Sequence, residues 1–406
     1  MISGARLRLA RQARGFSQQQ LAGMAGVSRQ AVSAVESGQS DPSLRVALAL
    51  ASALGMTVDE LFGVEGAVQT VTARLIDAGR PGEAGDPPSA PPARPAPSAL
   101  PARPAPSAPP ASPAPAASGE RVTLASIGES FVALPLAGQT ASRAGFLPAG
   151  GLIVGAPQRP AAQAVTVQPI GPPRPTLVAA GCDPALPLLS EPLGLLDPPI
   201  AFSWWPCASR EALRLAAAGL VHVAGVHLLG RSGDYNAGPA AELLACGGEV
   251  IGFSAWREGL VLRPETASRV SGIADVVRSG LRLVNREPGA EARSVLDREL
   301  ASAGVDGEDV PGYDTIATGH LQVADAVATG LADAGVASEP AALAYRLAFL
   351  PLARERFDLV IPAQRAAARE VQALTKVLSS RWLLDQLGSL PGYDATCCGQ
   401  HVATLA

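Results

Sequence analysis

Arg29, Gln30 and Ser33 fall on one face of a short helical run, with Val32 and Val35 on the opposite, core-facing side. A guanidinium can fork onto a guanine edge and a carboxamide onto an adenine edge, so this face is suited to reading DNA in the major groove. A second set of polar residues lies where strand-like segments give way to helix starts: Gly181-Cys182-Asp183, Ser209, Asn285-Arg286-Glu287 with Arg293 beyond it, Gly312-Tyr313 and Thr318-Gly319-His320. Open α/β sheets bind ligands at the carboxyl ends of their strands, and helix N-termini present free N–H groups and positive partial charge. Asp183, Ser209, Asn285, Arg286, Arg293, Thr318 and His320 are therefore the candidate ligand-binding residues, and two arginines favour an anion. Alternatives stay open at three places. Arg293 could instead pair with Asp297 one turn on, His320 could be a cap or core residue, and Trp204 and Trp205 could line the cleft or fill the core.

Other chemistry lacks its motif. No G-x-G, H-E-x-x-H, C-x-x-C or G-x-S-x-G occurs, and the single lysine, Lys376, stands in no phosphate loop. Cys397-Cys398-Gly399-Gln400-His401 lacks a second ligand pair and sits at an expendable-looking terminus, so no metal site is expected there. The chain is expected to be neither an enzyme nor a holder of a cofactor.

The DNA-reading face needs a helical scaffold, and the run SQQQLAGMAGVSRQAVSAVESG from Ser17 to Gly38 supplies one. Ser17 and Gln20 have capping-box spacing, Gly26 tolerates positive φ, Val27 plugs the turn and Ser28 caps the next helix. Before it, Ala5 to Arg14 forms a helix with Leu7 inward and Arg6, Arg8, Arg11 and Arg14 either facing phosphates or merely solvated. After it, Pro42 opens a helix whose Leu44, Leu48, Ala51 and Leu54 repeat at helical spacing, and Thr57 with Glu60 caps a fifth. These residues resemble the XRE, or Cro-like, helix-turn-helix family over about residues 4–63. The resemblance implies double-stranded DNA as partner, read through Gln18 at a phosphate and Ser28, Arg29, Gln30 and Ser33 at the groove. It also implies that Glu36 fixes the turn after the recognition helix. The alternative set against DNA binding is a small helical bundle used only for protein contacts.

Between Pro81 and Pro115 fourteen prolines alternate with Ala, Ala-Arg and Ser, a composition that cannot bury a core. A spacer of about 35 residues at about 3.1 Å each would reach about 100 Å. Short apolar segments follow to about Gln168, suggesting a small β segment. Beyond Arg174, strands alternate with helices, which predicts parallel α/β sheets in two lobes with a cleft between them. The runs AGCDPALPLL, LRLVNREPGAEARSVLDRELASAG, GYDTIATGHLQVADAVATGLADAGVASEPAALA and FLPLARERFDLVIP resemble the periplasmic-binding-protein-like domain of bacterial regulators and of proteins associated with molybdate and molybdenum-cofactor metabolism. That resemblance implies a molybdate- or tungstate-like oxyanion, while a tryptophan wall suits an organic ligand.

Charge supports the division. Residues 1–63 carry six arginines against four acids, a formal +2, and the remainder carries −6. Five scattered cysteines make a disulfide framework unexpected, no apolar run is long enough to span a bilayer, and no signal peptide precedes the first helix, so the cytoplasm is expected. The expected architecture is multidomain: an all-α five-helix helix-turn-helix domain over 1–66, an Ala/Pro-rich linker over 80–118, a small β-rich segment over 119–174 and an α/β two-lobed, periplasmic-binding-protein-like (type 2) domain over 175–395. The expected function is ligand-responsive transcriptional regulation, with a homodimer on a palindromic operator and a small anion in the cleft, and without a membrane partner. The competing readings are a molybdenum-cofactor-related enzyme with an accessory DNA-binding module, and a regulator whose C-terminal domain only dimerises.

Overall fold

The computed structural model describes residues 3–62, 70–76, 119–137, 146–154, 164–230 and 235–406, in two compact units, 1–70 and 71–406. In the first unit, α1 (Ser3–Ala13), α2 (Gln18–Ala25), α3 (Arg29–Glu36), α4 (Leu44–Leu54) and α5 (Val58–Phe62) close around Leu7, Leu21, Val32, Val35, Leu50, Leu54 and Leu61. The reciprocal cap at the head of α2 is formed: the Gln20 amide donates to Ser17 Oγ at 3.2 Å and the Ser17 amide to Gln20 Oε1 at 2.8 Å. Gly26 ends that helix at φ 64°, and Ser28 Oγ accepts the Ala31 amide at 3.1 Å to start α3.

Two expectations for α4 need correction. Ser43, not Pro42, caps it, so the proline lies outside the first turn. Leu44 and Leu48 are 74% and 54% exposed, and the buried stripe is Ala47, Leu50, Ala51 and Leu54. Ala51 and Leu54 face inward as expected, with Ala47 and Leu50 beside them in place of Leu44 and Leu48. The side chain of Glu60 lies outside the described residues.

The second unit begins with a closed barrel in the order β1 (Val71–Leu75), β3 (Ser130–Pro135), β2 (Arg121–Ile127), β4 (Gly151–Ile153) and β5 (Ala164–Pro169). Ala73, Val122, Leu124, Ala133, Ile153, Val165 and Val167 fill it. Its first strand pairs with β3 and β5, yet precedes the proline-rich stretch. Residues 80–118 lie outside the described residues, but their flanks belong to one barrel. The stretch therefore connects two strands of one domain and does not join the helical module to the rest, contrary to the expected boundary.

The α/β part is one mixed sheet, nine-stranded among the described residues. Its path runs β11 (Ile316–Ala317), β10 (Leu283–Arg286), β12 (Ala334–Ser338), β9 (Gly248–Leu262), β13 (Ala348–Pro362), β8 (Val223–Val226), β6 (Thr176–Gly181), β7 (Ala201–Pro206). The two long strands β9 and β13 pair antiparallel through the middle, while β6, β7 and β8 are parallel at one end and β10, β11 and β12 at the other. The expectation of parallel sheets thus holds within each lobe only. The lobes are joined by β9 and β13, whose pairing carries register shifts at Pro351/Ala353 and Phe357/Asp358. The numbered helices packed on this sheet are α6 (Ser209–Ala217), α7 (Glu291–Ser302), α8 (His320–Ala328), α9 (Arg369–Leu378) and α10 (Arg381–Ser389). The terminus also differs from expectation: His401–Leu405 forms β14, paired with β9, so it belongs to the sheet.

His222 joins β8 to β6 and gives the unit a pH dependence. The imidazole is 1% exposed, its Nδ1 accepts the Val178 amide at 3.1 Å, and burial, reinforced by the charge of Arg365, lowers its pKa to about 4. The folded chain therefore keeps a neutral ring while the unfolded chain takes up a proton near pH 6.5. Stability is complete above that value and falls as the pH drops toward 4, by roughly 3 kcal/mol from this residue. Urea unfolding of the wild type and of His222→Asn should give curves whose difference changes by about that amount between pH 7 and pH 4. Parallel curves would contradict the assignment.

Candidate functional site

The helix α3 presents Ser28, Arg29, Gln30 and Ser33 to solvent while Val32 and Val35 are buried. Its end is fastened by Glu36, whose carboxylate takes both Arg11 Nε at 2.7 Å and Arg11 Nη2 at 3.0 Å and also accepts Gln18 Nε2 at 2.9 Å. Arg11 Nη1 continues to the Phe16 carbonyl at 2.7 Å. Burial alone would raise the Glu36 pKa, and the bonds from Arg11 and Gln18 outweigh it and hold the carboxylate below its ordinary value. Two expectations change here. Arg11 is not free for a phosphate, and Glu36 ties α3 back to α1 and α2 rather than fixing the turn that follows. Gln18 has its amide on Glu36. Arg8 and Arg14 are exposed.

In the second unit a cavity of about 600 Å³ opens between the lobes, with Cys182, Trp204, Cys207, Glu287, Thr318 and His320 in its wall. Thr318 and His320 are the expected ligand residues that reach it. The others are engaged elsewhere. Asp183 is fully buried and accepts from the Ala185 amide (2.8 Å), Ser254 Oγ (2.9 Å) and Tyr393 Oη (2.7 Å). Ser209 Oγ accepts the His227 amide at 3.1 Å, and Asn285 Oδ1 accepts the Arg286 amide at 2.8 Å. Arg286 forks onto Glu287 at 2.8 and 3.0 Å. Arg293 donates to the Arg286 carbonyl at 3.1 Å, lies 4.7 Å over the Tyr313 ring and comes within 4.0 Å of Asp297. The two tryptophans part company, because neighbours on a strand face opposite ways. Trp204 lines the cavity and donates Nε1 to the Gly181 carbonyl at 2.8 Å, whereas Trp205 belongs to the core.

A cluster absent from the sequence-based reading lies at this wall. Cys182 follows β6, His227 follows β8 and His320 opens α8; one donor atom of each lies within 4.8 Å of the other two, and all three are buried. His227 Nε2 is 3.1 Å from Cys182 Sγ, and its Nδ1 is 3.7 Å from Glu355 Oε2. His320 Nδ1 accepts the Ser338 amide at 3.2 Å and lies 3.5 Å from Glu258 Oε1, while Trp256 Nε1 donates to Glu258 Oε2 at 3.0 Å. Burial opposes charge on Cys182, yet the His227 imidazolium outweighs it and holds the thiol well below its ordinary pKa. Burial likewise disfavours the imidazolium of His227, and the thiolate and Glu355 push its pKa well up. Burial raises Glu355. Part of the signal was present in the sequence: Cys182 and His320 stand at expected strand and helix ends, whereas His227 falls inside an expected apolar strand.

The positions of Cys182 and His227 depend on close backbone approach. Gly181 has φ 151°, and a Cβ there would sit 2.8 Å from the Gly225 carbonyl oxygen. A Cβ on Gly225 would lie 2.3 Å from the Phe357 ring. Only glycine at both sites lets β6 and β8 pack over Phe357 with their ends converging.

Comparison with known proteins finds one family match in each unit. A helix-turn-helix family model matches residues 7–61 and a PBP superfamily domain model matches residues 192–379. An uncharacterized HTH-type transcriptional regulator of Bacillus subtilis, YgzD, is 41% identical over 51 residues, which are 13% of this chain and 77% of that protein. The uncharacterized protein YvgK of the same organism is 29% identical over 235 residues, 56% of this chain and 74% of its own. Among solved structures, a putative phosphate ABC transporter substrate-binding protein with bound phosphate from Clostridium perfringens aligns at 12% identity and a TM-score of 0.41, covering 52% of this chain and 96% of that one. No helix among the described residues is long and apolar enough to cross a membrane.

Proposed function

This chain belongs to the helix-turn-helix transcriptional regulators through residues 7–61, and from that premise we propose that it is a one-component, ligand-responsive regulator. Its α3 reads the major groove of a palindromic operator as one of two copies, and a small ligand in the interlobe cavity alters how the copies pair. The observation that carries this reading is that one chain holds both an outward polar recognition helix and a cavity between two lobes. Leu44 and Leu48, exposed one turn apart on α4, support pairing of two copies.

A ligand with an anionic group, molybdate or tungstate being the simplest case, is supported by α8, whose first turn borders the cavity at His320, Leu321 and Gln322. The first amides of a helix have no partner within it and attract negative charge. Arg286 and Arg293, already engaged, add less to that attraction than their charges suggest.

Thermal unfolding of the full chain against molybdate, tungstate, sulfate, phosphate and organic acids tests the reading. One of them, at about 100 times its dissociation constant, should stabilise the fold by roughly 3 kcal/mol and change operator affinity at least about tenfold. Operator binding indifferent to every ligand would favour a C-terminal domain that only dimerises, and turnover of any of them would favour an enzyme.

A further inference from the structure

We infer that Cys182, His227 and His320 form a transition-metal site at the wall of the interlobe cavity, one that takes a divalent ion of the zinc class. Three observations converge on it. The three donors arrive from separate elements of both lobes, Cys182 and His227 from the ends of β6 and β8 and His320 from the start of α8, with their donor atoms within 4.8 Å of one another. One sulfur and two imidazole nitrogens suit zinc, cobalt or copper and disfavour magnesium or calcium, which prefer oxygen.

Each histidine, moreover, has a carboxylate behind it, Glu355 at 3.7 Å from His227 Nδ1 and Glu258 at 3.5 Å from His320 Nδ1. That is the outer-shell arrangement by which a carboxylate orients a metal-bound imidazole. An ion on His320 Nε2 would place the ring proton on Nδ1, toward Glu258, and the Ser338 amide would give up its bond to the ring.

Finally, His320 Nε2, the ring nitrogen that does not take the Ser338 amide, is buried without a hydrogen-bond partner among the described residues. Unpartnered polar atoms are rare in a folded interior, and this one belongs to the same group of three donors. The cavity supplies the route of entry, since Cys182 and His320 belong to its wall.

Three protein donors leave a tetrahedral ion one position for an outside ligand. Because the donors come from both lobes, the ion would hold the cleft closed. This consequence deepens the effector reading and rests on it, whereas metal binding itself is read without DNA.

The test is a titration of the chelator-treated full chain with Co²⁺ alone, in the absence of oxygen. One equivalent should produce a thiolate-to-cobalt charge-transfer band with tetrahedral d–d absorption, and Zn²⁺ should displace it. Cys182→Ser should abolish the charge-transfer band, and Glu355→Gln should weaken binding about 10- to 100-fold. Cys397→Ser and Cys398→Ser should leave the spectrum unchanged. No band in the wild type, or a band that survives Cys182→Ser, overturns the inference. Should Cys182→Ser fail to fold, the wild type still decides: one equivalent of Zn²⁺ should slow alkylation of Cys182 by iodoacetamide at least tenfold. Rapid alkylation indifferent to Zn²⁺ would instead make Cys182 a nucleophile paired with His227. Operator binding measured with and without Zn²⁺ then reports separately on regulation.

Discussion

Replacing Arg29 and Gln30 together by alanine is expected to lower affinity for the specific operator by roughly two to four orders of magnitude while leaving non-specific DNA binding nearly intact. Each side chain that forks onto a base edge is worth about 1–3 kcal/mol of discrimination, so losing both removes about 2–6 kcal/mol. The fold should not register the change. Both positions are exposed, alanine is the best helix former, the Ser28 cap keeps its bond to the Ala31 amide, and the buried Val32 and Val35 are untouched. Residual binding comes from phosphate contacts, for which Arg8 and Arg14 are exposed. Fluorescence anisotropy against operator and scrambled duplexes, over a range of salt, separates the two contributions. Retained preference for the operator in the double variant would take α3 out of the groove.

The helical module was legible because its instructions are local. A cap, its partner three residues on and a glycine at the helix end act within one turn, and Ser17, Gln20 and Gly26 do in the structure what their spacing predicts. The error at α4 has the same origin, since apolar residues repeat on more than one face of this helix and local spacing cannot say whether Leu44 and Leu48 or Ala47 and Leu50 turn inward beside Ala51 and Leu54. Where distant segments meet, the sequence is less informative. Composition identifies the proline-rich stretch as unable to form a core, but only the pairing of β1 with β3 and β5 shows that it interrupts a barrel. Alternating strands and helices predict two lobes; that β9 and β13 cross between them as an antiparallel pair follows from a register over residues about a hundred apart. The cleft residues show the limit most clearly. Arg286 looked like a ligand group because of its charge, and its neighbour Glu287 neutralises it. His227 looked like part of an apolar strand, and it meets Cys182, 45 residues earlier, only because Gly181 and Gly225 let two strands close over Phe357.

Glu36→Ala should destabilise the helical module by about 3–5 kcal/mol, most of what a domain of this size possesses. The cost arises less from the lost attraction than from what remains. The Glu36 side chain is 5% exposed and that of Arg11 is 11% exposed, so deleting the carboxylate strands a guanidinium out of water with only the Phe16 carbonyl for company, and leaves Gln18 without its acceptor. Glu36→Gln keeps an acceptor for Gln18 and should cost less, about 1.5–3 kcal/mol, because only the charge-assisted bonds are weakened. The same pair sets an acid limit. A carboxylate whose folded pKa lies below its unfolded value stabilises above the unfolded value, near 4.5, and loses that contribution as the pH falls through the folded one. All the tryptophans and tyrosines lie in the second unit, so amide hydrogen exchange of residues 29–36 is the suitable measurement. Exchange through opening of the module should accelerate roughly 10²- to 10⁴-fold in Glu36→Ala at neutral pH, and the wild-type protection should erode below pH 4. Unaltered exchange would mean that α3 is held by Val32 and Val35 alone, and that the clasp to α1 and α2 serves only to point the helix.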